Sequence, residues 1–167
     1  PQTIDIYMNI LKEHGVDPAM VEIELTETAV VSEYKSVRKL FDSFQMHGIK
    51  TAMDDFGSGY SVLNTIVDIP VDVIKIDRGF ITSCLETDRG IYFLKHLIAM
   101  IQNLGYQIIC EGVETDEQIE ILRQIGCDEI QGYWYSKPLP MEDYKELLQT
   151  EKISKEGGQN IQTGKKS

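Results

Sequence analysis

LFDSFQMHGIKTAMDDFGSGYS, residues 40–61, contains one complete structural unit. Val37, Leu40, Phe41 and Phe44 recur at helical spacing. Gly48 then stands where a helix stops, because the left-handed conformation past a helix end favours glycine. KTAM is a strand-length apolar run with little alternation, the pattern of a parallel strand buried on both faces. Asp54 and Asp55 follow, ahead of a glycine-containing turn. Adjacent like charges repel, so water, a basic partner or metal ions must compensate them.

The same order recurs in ILKEHG into VEIELTE, IAMIQNLG into YQIICEGVE and ILRQIG into CDEIQGY. Gly15, Gly105 and Gly126 take the place of Gly48. Leu94, Leu97, Ile98, Ile101 and Leu104 mark another helix, and Thr115 with Gln118 forms a capping box before EQIEILRQI. Strands are expected at EIEL, KTAM, DVIKI, QIIC and DEI. Helices alternating with such strands imply an α/β fold with a parallel sheet.

In each unit the polar residue comes where the strand finishes. In a parallel sheet those ends share one edge, where α/β proteins place their chemistry. Glu24, Glu27, Asp54, Asp55, Lys75, Asp77, Glu111, Glu114 and Gln131 collect there, and most are acidic. Converging carboxylates raise one another's pKa unless a counter-charge is present, and Lys75 alone does not suffice. All-oxygen ligands suit Mg²⁺ or Mn²⁺. Two such ions about 3.5–4 Å apart are a standard arrangement for phosphoester hydrolysis. The competing reading is solvated loop carboxylates with salt bridges.

The 167 residues suffice for one domain with a sizeable core. A net charge of −11 argues against binding a nucleic-acid polymer, but not against a small anion held through metal ions. Cys84, Cys110 and Cys127 are widely spaced, odd in number and without a CxxC pair, so reduced thiols and a cytoplasmic setting are expected. Cys110, within QIIC, reads as core. IYFLKHLIAMIQNL is interrupted by Lys95 and His96 and is too short to span a bilayer. Pro1 is not a natural start, so the chain is expected to belong to a longer protein. Residues 149–167 are polar and aperiodic, and disorder is expected there.

Asp55-Phe56-Gly57 spells the kinase metal-binding triplet, but no HRD loop or upstream glycine-rich loop accompanies it. Gly57-Ser58-Gly59 lacks the third glycine of a dinucleotide fingerprint and reads as a sharp turn. His14 and His47 precede helix-ending glycines and His96 sits in a helical pattern, so none has ligand spacing. Tyr133 and Trp134 read as packing rather than base stacking.

ELTET (24–28), DDFGSGYSVL (54–63), IKIDRGFI (74–81), EGVET (111–115) and QGYWYSKPLP (131–140) together resemble the EAL domain family of cyclic di-GMP phosphodiesterases. The resemblance covers residues 1–148 and implies a (β/α)8 TIM-like barrel, here incomplete, with about five βα units. It implies Glu24, Asp54, Asp55 and Glu111 as metal ligands for two Mg²⁺ or Mn²⁺ ions. It assigns Lys75, Asp54, Glu114 and Gln131 to catalysis, and Glu27 to bracing the loop 56–63. That loop is associated with dimerisation, so a homodimer is implied. The implied reaction gives linear 5′-phosphoguanylyl-guanosine. Upstream sensory or diguanylate-cyclase domains, and anchoring of the parent at the inner membrane face, are further expectations.

The family's Glu-Ala-Leu glutamate and the asparagine of its next strand do not occur in this sequence. They are expected upstream, with about three strands of the barrel. The piece alone is therefore expected to be inactive and its parent active. The alternative is a non-catalytic EAL-type cyclic di-GMP receptor or interaction module.

Overall fold

A computed structural model describes residues 2–58 and 66–149. The part of the loop 56–63 beyond Ser58, and the tail from 150 onward, lie outside the described residues. Five parallel strands form one sheet in chain order: β1 (Glu22–Thr26), β2 (Lys50–Phe56), β3 (Val73–Ile76), β4 (Gln107–Cys110) and β5 (Glu129–Ile130). The helices are α1 (Gln2–His14), α2 (Glu27–Ser32), α3 (Tyr34–Met46), α4 (Arg78–Leu85), α5 (Asp88–Asn103), α6 (Asp116–Ile125) and α7 (Met141–Gln149); they alternate with the strands except between β2 and β3, where the described residues hold only a single 3-10 turn, Ile66–Asp68. All five expected strands form. Parallel strands added in chain order are the progression of a βα barrel.

The core follows the sequence periodicity. Val37, Phe41 and Phe44 of α3 and Leu94, Leu97, Ile98 and Ile101 of α5 are buried against the sheet. Each such side chain contributes roughly 1.5–3 kcal/mol on full burial. Gly15, Gly48, Gly105 and Gly126 all have positive φ at the helix ends, and the Thr115–Gln118 capping box forms. The short helices α2 and α4 were not expected, because one or two turns leave too little periodicity to read.

Burial thins at the sheet's margins, as an incomplete barrel with open end strands implies. Every residue of β3 is buried, but none of β1 or β5 is. These two strands are the ends of the sheet order, so among the described residues each has a pairing neighbour on one side only. Large apolar side chains are exposed near both margins, among them Ile6 and Met20 before β1 and Tyr135 and Met141 after β5. Among the described residues, no helix is long and apolar enough to cross a membrane.

The N-terminal ends of the strands carry one clasp twice. Asp72, just before β3, accepts hydrogen bonds from the Thr51 N–H (2.9 Å) and hydroxyl (3.0 Å) of β2. Gln45 of α3 donates to the same carboxylate and to the Pro70 carbonyl. Asp128, just before β5, accepts from the Ile108 N–H of β4 (3.0 Å), while Gln102 of α5 donates to Asp128 and to the Gly126 carbonyl. Each glutamine lies one turn before its helix-capping glycine. Each clasp therefore ties helix, strand and the start of the next strand together.

Candidate active site

The opposite edge is built differently. Between β2 and β3, Met53 pairs with Ile74 but Phe56 pairs with Ile76. Two residues of β2, Asp54 and Asp55, thus stand opposite one residue of β3, Lys75. This is a bulge, a device found beside active sites where a strand must re-aim its side chains. Asp55 takes φ 59°, the only non-glycine with positive φ among the described residues, and its N–H donates to Asp54 Oδ1 at 2.8 Å. The paired aspartates do not follow the strand, as the sequence suggested, but lie inside β2. Glu24 and Lys75 are likewise within their strands rather than at the ends. The apolar run ends early in the sequence because Asp54 and Asp55 leave the core at the bulge, before Phe56 returns to it.

Lys75 is the centre of the cluster. Only 5 % of it is exposed, yet its ammonium lies 2.9 Å from both Glu24 carboxylate oxygens, 2.9 Å from Glu111 Oε1 and 3.8 Å from Asp54 Oδ1. Burial disfavours the charged lysine, but the hydrogen bonds of Glu111 and Glu24 and the charge of Asp54 outweigh it and hold its pKa above the ordinary value. Glu111 nonetheless has its own pKa raised, first by burial and then by Asp54 and Glu24, against the pull of Lys75. Both directions are consistent: three carboxylates share one ammonium, so the lysine is over-compensated and the carboxylates are under-compensated. Glu22, two residues before Glu24 and on the same side of β1, is also pushed up, by burial and by Glu24.

Glu27 is buried and its Oε2 accepts from the Gly57 N–H at 2.9 Å. Gly57 has φ 94°, and a Cβ there would lie 2.6 Å from the Phe80 ring, so both backbone and space require glycine. The first step out of β2 is thereby fixed between Glu27 and Phe80. Glu114 does not join the lysine cluster; its carboxylate is 2.8 Å from the Arg78 guanidinium. Gln131 has an exposed side chain, while its backbone bonds Cys110 O and Val113 N–H and continues the sheet edge. Asp77, gathered with the acidic edge by sequence, caps α4 by accepting from the Gly79 and Phe80 N–H groups. Trp134 packs against the core and donates to Asp116. Sequence reasoning gave no role to Arg78 or Glu22; each becomes visible only through the residue it faces.

The structure thus brings together Glu24, Asp54, Lys75 and Glu111 and holds Asp55 beside them by the bulge. The donors are all carboxylate oxygens, the chemistry that suits a hard divalent cation. Glu24 and Glu111 turn onto the lysine, and among the described residues no three acidic, histidine or cysteine side chains are arranged to hold an ion.

A parallel α/β sheet of barrel type, with an acidic oxygen-donor cluster at the C-terminal side of its strands, defines the class. The chain belongs to the EAL domain family, whose model matches residues 1–138. It is 34 % identical over 145 residues to the cyclic di-GMP phosphodiesterase NbdA of Pseudomonas aeruginosa, covering 87 % of this chain and 18 % of that protein. Among solved structures it resembles the PaMucR phosphodiesterase in complex with c-di-GMP, with TM-score 0.76 and 30 % identity, covering 84 % of this chain and 57 % of that one. The manganese/cy-diGMP complex of Klebsiella pneumoniae BlrP1 is similar at TM-score 0.76 and 31 % identity, with coverage of 83 % and 35 %. The chain spans only about a fifth of the length of curated relatives such as NbdA.

Proposed function

We propose that this edge takes part in hydrolysis of one phosphodiester bond of cyclic di-GMP, giving linear 5′-phosphoguanylyl-guanosine. The observation that carries the reading is the convergence of Glu24, Asp54 and Glu111 on buried Lys75. Support comes from the phosphodiesterase named among its relatives and from solved relatives that hold the cyclic dinucleotide.

Glu24, Asp54, Asp55 and Glu111 would hold the divalent cations, two Mg²⁺ or Mn²⁺ ions. Bound ions of this kind lower the pKa of a water and neutralise charge on phosphate oxygens. The chain's own groups do the rest. Lys75, the one cation of the cluster, would contact the phosphate or the attacking water and help activate the attack. Asp54, opposite Lys75 on the bulge, is the carboxylate aimed to accept the water's proton. Water oxygen bonds phosphorus, the bond to the ribose 3′ oxygen breaks, and the 5′ phosphate remains. Glu114 and Gln131 complete the water network in this proposal, and Glu27 keeps the loop after Asp55 in place.

The same reading puts the protein in the cytoplasm, as a homodimer, within a longer signalling protein that carries sensory or cyclase domains. The three cysteines are free, which suits a reducing compartment.

The test is Mg²⁺- or Mn²⁺-dependent hydrolysis of cyclic di-GMP by the natural-length protein, beside its Asp54→Ala and Glu111→Ala forms. Turnover lost in both variants supports the reading. Tight dinucleotide binding without turnover moves the protein to the receptor class.

A further inference from the structure

Cys110 closes β4 and Cys127 stands just before β5, and neither has a part in the proposed hydrolysis. Both are buried and free, and their sulfurs lie 3.0 Å apart. Cys127 Sγ is also 3.1 Å from the Glu129 carbonyl oxygen. A free cysteine commonly packs as a small hydrophobe; what sets this pair apart is that the two sulfurs face each other. The segments that carry them are held in register by the pairing of β4 with β5 and by the Asp128 clasp. From this separation the sulfurs need to close by only about 1 Å to reach a disulfide length of about 2.05 Å. Cys84 lies apart, in α4.

We propose that Cys110 and Cys127 form an oxidation site that closes to a disulfide under a hydroperoxide such as hydrogen peroxide. Cys127 retains 7 % exposure and Cys110 none, so the first attack belongs to Cys127. Its sulfur bonds one peroxide oxygen, the O–O bond breaks, and the other oxygen takes the Cys127 thiol proton and leaves as water. The sulfenic acid formed is then attacked by the Cys110 sulfur. The S–O bond breaks, the S–S bond forms, and the departing hydroxyl takes the Cys110 proton as a second water. Two thiols and one peroxide become one disulfide and two waters, with two electrons passing from sulfur to oxygen. Disulfides in reducing compartments are characteristically of this transient, sensing kind.

Cys110 is bonded directly to Glu111, whose carboxylate holds Lys75 at 2.9 Å. Drawing Cys110 toward Cys127 shifts the backbone that positions Glu111, and so couples oxidation to the active site. That coupling rests on the phosphodiesterase reading; formation of the bond does not.

The experiment treats the folded protein with hydrogen peroxide, quenches it, and counts the free thiols of this chain after denaturation. Peptide mapping by mass spectrometry then locates any bond. The expected result is a fall from three free thiols to one, with Cys110 linked to Cys127, Cys84 free, and full recovery in dithiothreitol. In a Cys127→Ser variant no intramolecular bond forms. Three thiols persisting, single cysteines carried to sulfinic acid, or a bond to Cys84 overturns the site. Cyclic di-GMP hydrolysis is measured in parallel on the natural-length protein. A loss on oxidation that dithiothreitol reverses, absent in Cys127→Ser, supports the coupling, and equal turnover in both forms overturns it. No turnover in either form counts against the hydrolytic reading, while the thiol count still decides the oxidation site.

Discussion

The two edges of the sheet use the same acidic side chains in opposite ways. At the N-terminal edge, Asp72 and Asp128 each meet a backbone N–H and a glutamine amide. These donors are neutral and dedicated, and among the described residues every buried side-chain nitrogen and oxygen has a partner. At the C-terminal edge, Glu24, Asp54 and Glu111 share the single ammonium of Lys75. Hydrogen-bond satisfaction is equally complete there, but charge is not. Three carboxylates against one lysine leave two negative charges in excess when all are ionised. An acidic residue near a strand end is therefore not diagnostic by itself. What separates a clasp from a site is whether its donors are neutral and dedicated or charged and shared.

The largest test of that difference is Asp54→Ala. Hydrolysis of cyclic di-GMP in the natural-length protein is expected to fall on the order of 10³-fold, while its urea-unfolding midpoint stays near that of the parent. A midpoint that collapses together with activity would make Asp54 a structural group like Asp72.

Next comes Lys75→Met. Removing the ammonium leaves Glu24 and Glu111 facing each other without compensation. Because Glu24 is well exposed, the expected loss is about 1–3 kcal/mol rather than the larger figure for a fully buried pair. Mn²⁺ is expected to raise the thermal midpoint of the variant more than that of the parent, since a cation can stand in for the lost charge. Equal Mn²⁺ shifts would show that the carboxylates do not gather around a cation.

The clasps give a smaller and symmetrical effect. Asp72→Asn and Asp128→Asn each weaken the hydrogen bonds to a strand N–H, for about 1–2 kcal/mol. The two lie in different strand pairs, so their costs should add in the double variant. Turnover per folded molecule should be unchanged; a selective loss of turnover would place the clasp within the functional machinery.

The pH dependence gives the finest distinction. Lys75 has its pKa raised in the fold, so its contribution is complete below its unfolded value of 10.5 and is lost as pH rises through the higher folded value. The stability gap between parent and Lys75→Met should therefore hold through neutral pH and shrink only in strong alkali. Glu111, also raised, has the same sign in a lower pH window: its ionisation opposes folding, so its favourable contribution exists below its unfolded value of 4.5 and fades as pH climbs through the folded one. Urea titrations across pH, comparing parent with Glu111→Gln, should show the variant gaining on the parent as pH rises from acid to neutral in metal-free buffer. A gap independent of pH would put the variant's effect elsewhere.

Much of this was legible in the chain itself. Helix periodicity placed Phe41, Phe44 and Leu94 in the core, and the capping glycines divided the chain into units. Five apolar runs became five parallel strands. The concentration of Glu24, Asp54, Lys75 and Glu111 at one side of the sheet also followed, since parallel strands necessarily align their ends. Less legible was the division of labour among the polar residues. Asp77 caps a helix, and Glu114 pairs with Arg78. Nothing in their sequence spacing distinguishes them from Glu111, because the partners come from other elements.

Local order, then, came largely from the sequence alone: where the longer helices and the five strands lie, where the glycine-capped helices stop, and which helix face is apolar. These depend on spacing within a few residues and on glycine's tolerance of positive φ. Only the tertiary structure decided that Asp54 and Asp55 form a bulge opposite Lys75, and that Cys110 meets Cys127. Each of these depends on register between strands distant in the chain. Register is a property of the packed sheet, set by the fit of many side chains at once, and no single stretch of residues contains it.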